Sequence, residues 1–266
     1  MTANPTFSSP RASSPLSTLL TQIRADLLTL LRNPSSLIPT LLFPLIFWTF
    51  FGLPNARETQ GGINIGAYLL ASFAMYSVIQ TVFFNLSISI ATERSSGWYK
   101  FQRTTPARVW MLFMAKLMTV LLLALFTVSV LLIYGSITGG VTLEPLQWLS
   151  LVARVMLGVL PFAALAVLIG YLTRGPQTAS AIVNLIFFPM SFASGLFIPL
   201  PSLPKIMQDI APFLPAYHSG QLARVAVGVP SAQPELTNLV WLLGFTTLFL
   251  ALAVWAYKRD EATQYR

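Results

Sequence analysis

Residues 93–108 read ERSSGWYKFQRTTPAR, and this polar stretch governs how the rest of the chain is interpreted. It contains four of the sixteen Lys and Arg residues. Residues 59–92 before it carry no charge, and after it only Lys116 is charged before Glu144. A short charged segment between two long apolar segments is typical of a loop on the aqueous side of a membrane. The stretch therefore predicts either a plain cytoplasmic loop that fixes orientation or a docking surface for a partner.

The composition is that of an integral membrane protein. Of the 266 residues, 55% are hydrophobic and 9% are charged, whereas roughly a quarter of the residues in a soluble domain are charged. The chain has no cysteine, which excludes disulfides, and its single histidine, His218, cannot build a metal cluster. The net charge of +8 is spread over several short loops. Because no basic face interleaves with stacking aromatics, we expect no nucleic-acid partner.

Runs without Asp, Glu, Lys or Arg indicate the membrane spans, since the bilayer core requires about 20 apolar residues per helix. Six such runs of at least 19 residues occur: 33–56, 59–92, 117–143, 155–173, 175–204 and 236–257. We therefore predict an all-α membrane protein with a single transmembrane domain over residues 34–258. Its six helices are predicted at about 36–53, 66–92, 109–135, 150–172, 178–199 and 237–257.

The segments that flank this domain are more polar. Residues 1–15 are rich in Pro and Ser and predict a disordered cytoplasmic tail, and residues 259–266 predict a second cytoplasmic tail. Across residues 16–33, Leu and Ile recur at helical spacing opposite a polar face. This segment is too polar to span a bilayer, so it predicts an amphipathic helix in the inner interface. A helix packed on a soluble-side neighbour is the alternative.

Basic residues set the orientation. With both termini inside, twelve Lys and Arg residues lie on the cytoplasmic side and four lie outside. This asymmetry predicts an N-in, C-in topology. Lys116 and Arg154 fall just within predicted helix ends, where long side chains can reach the interface, so we expect neither to need a buried partner.

The last outer segment, residues 200–236, is long and rich in proline. Between its prolines, the pattern predicts two short helices at about Leu203–Ile210 and Tyr217–Val227. Pro189, Ser194, Gly195 and Pro199 interrupt the fifth span itself. Non-helical backbone at membrane depth is tolerated only inside protein or along a cavity, so we predict re-entrant helices here. A proline-kinked helix followed by a loop is the alternative.

Several functional classes lack their usual residues in this chain. No charged residue lies near the centre of a predicted span, where ion-coupled pumps bind the driving ion. A GxxxxGK[ST] loop for ATP is missing, and no carboxylate pair suits acid–base catalysis. The polar side chains in the spans are mild and predict mainly helix–helix hydrogen bonds: Gln80, Asn85, Ser87, Ser89, Thr127, Ser129, Asn184 and Ser191. A chain of this kind requires an external energy source.

Two sets of residues carry a family resemblance. One is Glu93-Arg94-x-x-Gly97, with Pro106 after eight further residues, between the second and third spans. The other follows the fifth span outward through Pro189, Ser194, Gly195, Pro199, Pro204, Pro215, Tyr217 and Arg224. In this order and placement, the chain resembles the membrane-spanning subunit of ABC-2 type transporters. That bacterial permease family includes exporters of drugs, polysaccharides and lipid-linked glycans.

The resemblance implies that the chain resides in the bacterial plasma (inner) membrane and is driven by a separate ATPase subunit. A cytoplasmic coupling helix would dock on that ATPase, with Glu93, Arg94 and Gly97 at the contact, Glu93 capping the start of the helix, and Pro106 closing the motif. Trp98, Tyr99 and Phe101 would supply the apolar contact surface. The chain itself would hold no cofactor, because two ATPase copies would bind ATP and Mg.

The resemblance also implies a second permease subunit, in a homodimer or heterodimer, and short re-entrant outer helices. The expected function is export of a hydrophobic or amphipathic substrate such as a drug, lipid or glycolipid, as in multidrug resistance. A secondary transporter or channel without an ATPase is the alternative. A membrane scaffold or an intramembrane enzyme is a third class.

Overall fold

The computed structural model describes residues 15–60, 63–97 and 109–264. Their α-helices are α1 Pro15–Leu31, α2 Pro34–Phe47, α3 Ile65–Ser95, α4 Val109–Gly139, α5 Pro145–Gly158, α6 Leu160–Leu172, α7 Pro176–Ala193, α8 Lys205–Ile210, α9 Pro215–Ala226 and α10 Glu235–Gln264. A π-helical turn, Trp48–Gly52, and a 3₁₀ turn, Leu53–Asn55, extend α2. Two further 3₁₀ turns, Leu200–Ser202 and Ala211–Phe213, flank α8. The antiparallel strands β1 Thr59–Gln60 and β2 Ile63–Asn64 form a small hairpin before α3.

Five segments in the described ranges are long and apolar enough to cross a membrane. They are Leu37–Asn55, Ile65–Ser95, Met111–Gly139, Pro145–Leu172 and Glu235–Ala262. The fifth predicted span, 178–199, corresponds to α7, which does not reach the same combination of length and hydropathy. Its predicted end at residue 199 is wrong, because α7 stops at Ala193. Gly195 follows with a φ of +72°, a left-handed conformation that ends helices and favours glycine.

The predicted tail at 259–266 is also partly wrong. The last helix continues through Gln264 instead of ending at residue 257. Residues 1–14 of the predicted N-terminal tail lie outside the described residues. The amphipathic segment predicted at 16–33 is α1, which ends at Leu31, and Asn33-Pro34 then begins α2.

Helix α3 forms the centre of the fold and packs against α2, α4, α6, α7 and α9. Most of its side chains are buried, including small polar ones such as Ser72 and Ser77. Small residues let neighbouring helices approach it closely. A Cβ on Gly170 of α6 would lie 2.7 Å from Ile90 of α3, closer than carbon atoms tolerate. The α3–α6 contact therefore requires glycine at this position.

Helices α5 and α6 form one span that breaks at Val159. Pro161 lacks an amide hydrogen and disfavours a continuous helix, and Phe162 bonds to the Val159 carbonyl at 3.0 Å. At the break, the Gly158 carbonyl accepts a hydrogen bond of 2.7 Å from Ser219 Oγ of α9. Helix α9 therefore satisfies a backbone group at the break in this span, as the absence of water inside a membrane domain requires.

Candidate coupling site

The end of α3 is held by an ion pair to α4. Ser89 and Glu93 lie four residues apart, on one face of α3. Lys116 Nζ of α4 donates to Ser89 Oγ at 2.7 Å and to Glu93 Oε1 at 2.5 Å. Lys116 is 8% exposed. The expectation that its side chain would need no buried partner is therefore wrong. For Arg154 the expectation is not contradicted, because its partner Glu235 is exposed.

A second carboxylate faces the same lysine. Asp26 of α1 lines a cavity of about 90 Å³ together with Glu93 and Lys116. Its Oδ1 accepts from Gln22 Nε2 at 2.9 Å, and its buried Oδ2 has no hydrogen-bond partner among the described residues. Burial raises the pKa of Asp26, and the charge of Lys116 offsets only part of that effect. The cluster thus joins α1, α3 and α4 through one cation and two carboxylates.

Arg94 extends the site to the other side of α3. Its Nε donates to Asp260 Oδ1 of α10 at 2.8 Å. Its Nη1 donates to the carbonyl oxygen of Thr173, the residue after α6. The last carbonyls of a helix lack partners within the helix, so this contact satisfies the end of α6. Glu93 and Arg94, adjacent in sequence, therefore connect α3 to α1, α4, α6 and α10.

Gly97 marks where α3 ends and the loop begins. The Ser96 amide bonds to the Thr92 carbonyl at 2.9 Å, and the Gly97 amide bonds to the Arg94 carbonyl at 3.3 Å. Gly97 has a φ of +73°, and none of the described residues places an atom within 4 Å of the position that a Cβ would take. Its role in the chain is to close the helix in a left-handed conformation, as glycine commonly does at this position.

The structure therefore changes the interpretation of the Glu93-Arg94-x-x-Gly97 motif. Glu93 was expected to cap the start of a short coupling helix, but it lies in the last turns of α3, so that expectation is wrong. The remaining residues predicted for the ATPase contact lie outside the described residues: Trp98, Tyr99, Phe101 and Pro106.

The residues predicted for the outer segment fall into two groups. Pro189 is inside α7, while Ser194, Gly195, Pro199 and Pro204 follow its end. Pro215, Tyr217 and Arg224 belong to α9, which packs among α3, α5 and α10. The two helices predicted at 203–210 and 217–227 are both present, as α8 and α9.

Arg224 is the buried charge of this outer segment. It is 3% exposed and lies 5.1 Å from the centre of the Tyr68 ring. Its Nη1 donates to Ser72 Oγ and to the Gly195 carbonyl, each at 3.3 Å. The residue therefore fixes α9 to α3 and to the turn after α7.

Only some of the polar side chains in the spans form the predicted hydrogen bonds between helices. Thr127 contacts Thr81 at 3.1 Å, and Ser87 donates to the Ala166 carbonyl at 3.2 Å, so both join helices. Ser129 and Asn184 instead donate to carbonyls in their own helices. Within the part of the chain that the structure describes, the buried Gln80 Oε1 and Ser191 Oγ have no hydrogen-bond partner.

Sequence reasoning missed the partners of the motif: Asp26, Lys116 and Asp260. The sequence did carry a signal for Lys116, because it is the single charged residue within the third predicted span. Ser89 and Glu93, which can pair with a lysine, lie on one face at the end of the second predicted span. Asp26 and Asp260 carried no such signal, because each lies in a segment with other charges. Their contacts to the motif depend on how α1 and α10 pack.

Comparisons with known proteins agree with the geometry. The family model described as "ABC-2 family transporter protein" matches residues 54–255 of this chain. The chain belongs to this family. It is also 28% identical over 253 residues to the Bacillus subtilis (strain 168) protein named "Putative transport permease YvfS", covering 93% of this chain and all of that protein.

Family membership confirms the resemblance that the motifs indicated. The chain is the membrane-spanning permease component of a transporter and not a catalytic enzyme. Its described residues include five apolar segments long enough to cross a membrane, and it is a multi-pass protein of the bacterial plasma membrane. An ABC-2 permease acts within a transporter complex, which implies an ATPase partner.

Proposed function

We propose that this chain is the permease subunit of an ATP-driven exporter and that the end of α3 transmits the movement of its ATPase. The observation that carries the proposal is the double linkage at Glu93 and Arg94. Glu93 pairs with Lys116 of α4 beside Asp26 of α1, and Arg94 pairs with Asp260 of α10. A displacement of the 98–108 loop would therefore act on several helices at once. Packed elements with two alternative arrangements are the usual basis of such switching.

The proposed topology has six spans with both termini in the cytoplasm, α7 being the fifth span. The distribution of basic residues supports it, with twelve inside against four outside. In this topology, α1 lies at the inner interface and the 93–108 loop faces the cytoplasm. Helices α8 and α9 lie at the outer face, where α9 is a re-entrant element. The burial of nearly all of α9 supports this placement.

The proposed complex contains two permease subunits and two ATPase subunits, and the ATPases bind ATP and Mg. The proposed substrate is hydrophobic or amphipathic: drug-like, lipid or glycolipid. The long charge-free runs support that class, since a path built from them is lined by apolar side chains and mild hydroxyls. A small ion would instead require charged or closely spaced polar groups.

An ion-coupled secondary transporter is the second candidate, and one observation favours it. Asp26, Glu93 and Lys116 form a cluster of ionisable groups around a small cavity at the end of a span. Such clusters can serve as sites for a coupling ion. Dependence of transport on ATP separates the two candidates.

The experiment begins with purification of the chain from cells of its source organism and a search of the co-purifying proteins for one with a GxxxxGK[ST] loop. The assembled complex is then reconstituted in lipid, and ATP hydrolysis is measured with candidate amphipathic substrates. The matched control carries alanine in place of the lysine of that loop. We expect co-purification, substrate-stimulated hydrolysis, and loss of transport in the control. Transport that persists in the control and follows an ion gradient would establish the secondary transporter instead.

A further inference from the structure

A lateral groove opens between α4 and α10 on the surface of the membrane domain. Helix α6 and part of α3 form its floor, and the groove has a volume of about 530 Å³. Its wall is almost entirely apolar and includes Met114, Leu117, Val167, Leu250 and Val254. Met114, Leu250 and Val254 are each more than 40% exposed, so the groove faces the surroundings of the protein.

The groove is about one leaflet deep. It follows α6 from Leu160 to Tyr171 and α10 from Thr246 to Tyr257. Eleven residues of α-helix span about 16 Å, and half of a bilayer's hydrocarbon core is about 15 Å. Three rings close one end, the aromatic end, with Tyr171 and Tyr257 5.4 Å apart and Phe113 about 6 Å from each.

The groove is open at the surface, since Met114, Leu250 and Val254 in its wall are exposed. An extended hydrocarbon chain matches its length of about 16 Å and its apolar wall. A helix of a second subunit is the competing occupant, and the charge at one end of the groove favours a lipid.

Positive charge surrounds the aromatic end. Lys258 follows Tyr257, and Arg174 lies three residues beyond Tyr171, and both are exposed. Arg259 lies 5.5 Å from the centre of the Trp255 ring. The acidic groups nearby are Asp260, which is paired with Arg94, and Glu261. This end therefore has a positive excess, and the Arg94 contact to Thr173 places it level with the cytoplasmic end of α3.

We propose that the groove binds one acyl chain of an anionic phospholipid from the cytoplasmic leaflet, with the headgroup phosphate at Lys258 and Arg174. The apolar wall accommodates the chain, and the tyrosine hydroxyls lie at the level of the glycerol backbone. Basic residues next to a membrane surface attract anionic lipids and not neutral ones. A bound lipid of this kind would fill the space between α4 and α10 and hold the two helices at a fixed separation.

The test uses native mass spectrometry of the purified transporter after exposure to an equimolar mixture of phosphatidylglycerol and phosphatidylcholine. We expect retained phosphatidylglycerol in excess over phosphatidylcholine. Val254→Trp fills the groove and should abolish most of this retention. Leu252→Trp is the matched control, since Leu252 is also exposed, on the same helix and at similar depth, but does not line the groove. It should retain lipid like the wild type.

A second pair of variants tests the headgroup contacts. The double variant Lys258→Gln, Arg174→Gln should lower the preference for phosphatidylglycerol over phosphatidylcholine by roughly an order of magnitude. Arg24→Gln with Arg32→Gln is the control with the same change in net charge. Equal retention in the two Trp variants would overturn the groove as the site. Equal lipid preference in the two Gln variants would overturn the assigned headgroup contacts. Loss of the bound lipid when the second permease subunit assembles would show that protein covers the groove, which also overturns the proposal.

Discussion

Substitution of Lys116 tests the charged cluster at the end of α3 most sharply. Lys116→Met keeps the length and apolar stem of the side chain but removes its bonds to Glu93 Oε1 and Ser89 Oγ. It also leaves Glu93 and Asp26 facing one cavity of about 90 Å³ without the lysine that lies between them in the wild type. Removal of one partner of a buried pair costs about 3–5 kcal/mol. The Glu93 side chain keeps 22% of its surface exposed, so we expect the lower end of that range.

A loss of about 3 kcal/mol corresponds to a fall in melting temperature of roughly 6–12 °C for a chain of this size. Thermal unfolding in detergent, followed by tryptophan fluorescence, measures it. Lys205→Met is the matched control, since Lys205 is 82% exposed and pairs with Asp209 at the surface. Such surface pairs contribute about 0–1 kcal/mol. The control should therefore unfold close to the wild type.

The double variant Lys116→Met, Glu93→Gln decides whether the pair is the cause. Glu93→Gln alone should cost about 1–2 kcal/mol, as the loss of one charge-assisted hydrogen bond does. Because the uncompensated Glu93 carboxylate is then absent, the double variant should be more stable than Lys116→Met alone. Additive losses from the two substitutions would refute the reasoning, because residues that interact directly do not give additive effects.

Four further predictions follow from the same structure. Gly97→Ala and Gly97→Leu should lower the free energy of unfolding equally, by about 1–2 kcal/mol, because both place a side chain on backbone at φ +73°. A greater loss of ATPase binding by the Leu variant would show that the partner approaches this residue. Asp26→Asn should gain stability relative to the wild type as pH rises from 4 to 7 in thermal unfolding, because a raised carboxyl pKa means that ionisation of Asp26 opposes folding; a constant difference would contradict this. Single cysteines at Ser96 and Thr263 should react with a membrane-impermeant maleimide only from the cytoplasm, and those at Gln60 and Gln233 only from outside. Hydrogen exchange should be slow across Pro215–Ala226, which is almost fully buried, and uniformly fast exchange there would refute a re-entrant helix.

The helices were the most predictable part of the fold. Charge-free runs located α3 within three residues at its C-terminus and one at its N-terminus, because a membrane helix must be apolar along its whole length. The fifth span was the exception. Its apolar run continues past Ala193, but Gly195 adopts a left-handed conformation and ends the helix. Composition cannot register a turn of that kind within an apolar run.

The contacts of the site were less predictable than its residues. The Glu93-Arg94-x-x-Gly97 motif was visible in the sequence, but its position at the end of α3 was not, since no break separates it from the preceding apolar run. Asp26 and Asp260 lie 67 and 166 residues from the motif. Only the packing of α1 and α10 brings them to Lys116 and Arg94.

The central claim is that the end of α3 faces an ATPase in the cytoplasm. A photoreactive amino acid at Ser96, next to Gly97, tests it directly in cells that express the whole transporter. Ala232, which is exposed in the segment before α10 and outside the membrane in the proposed topology, is the control position. We predict that Ser96 cross-links to a protein with a GxxxxGK[ST] loop and that Ala232 does not. Cross-linking of that protein at Ala232, or none at Ser96 in a transporter that is active, would contradict the account.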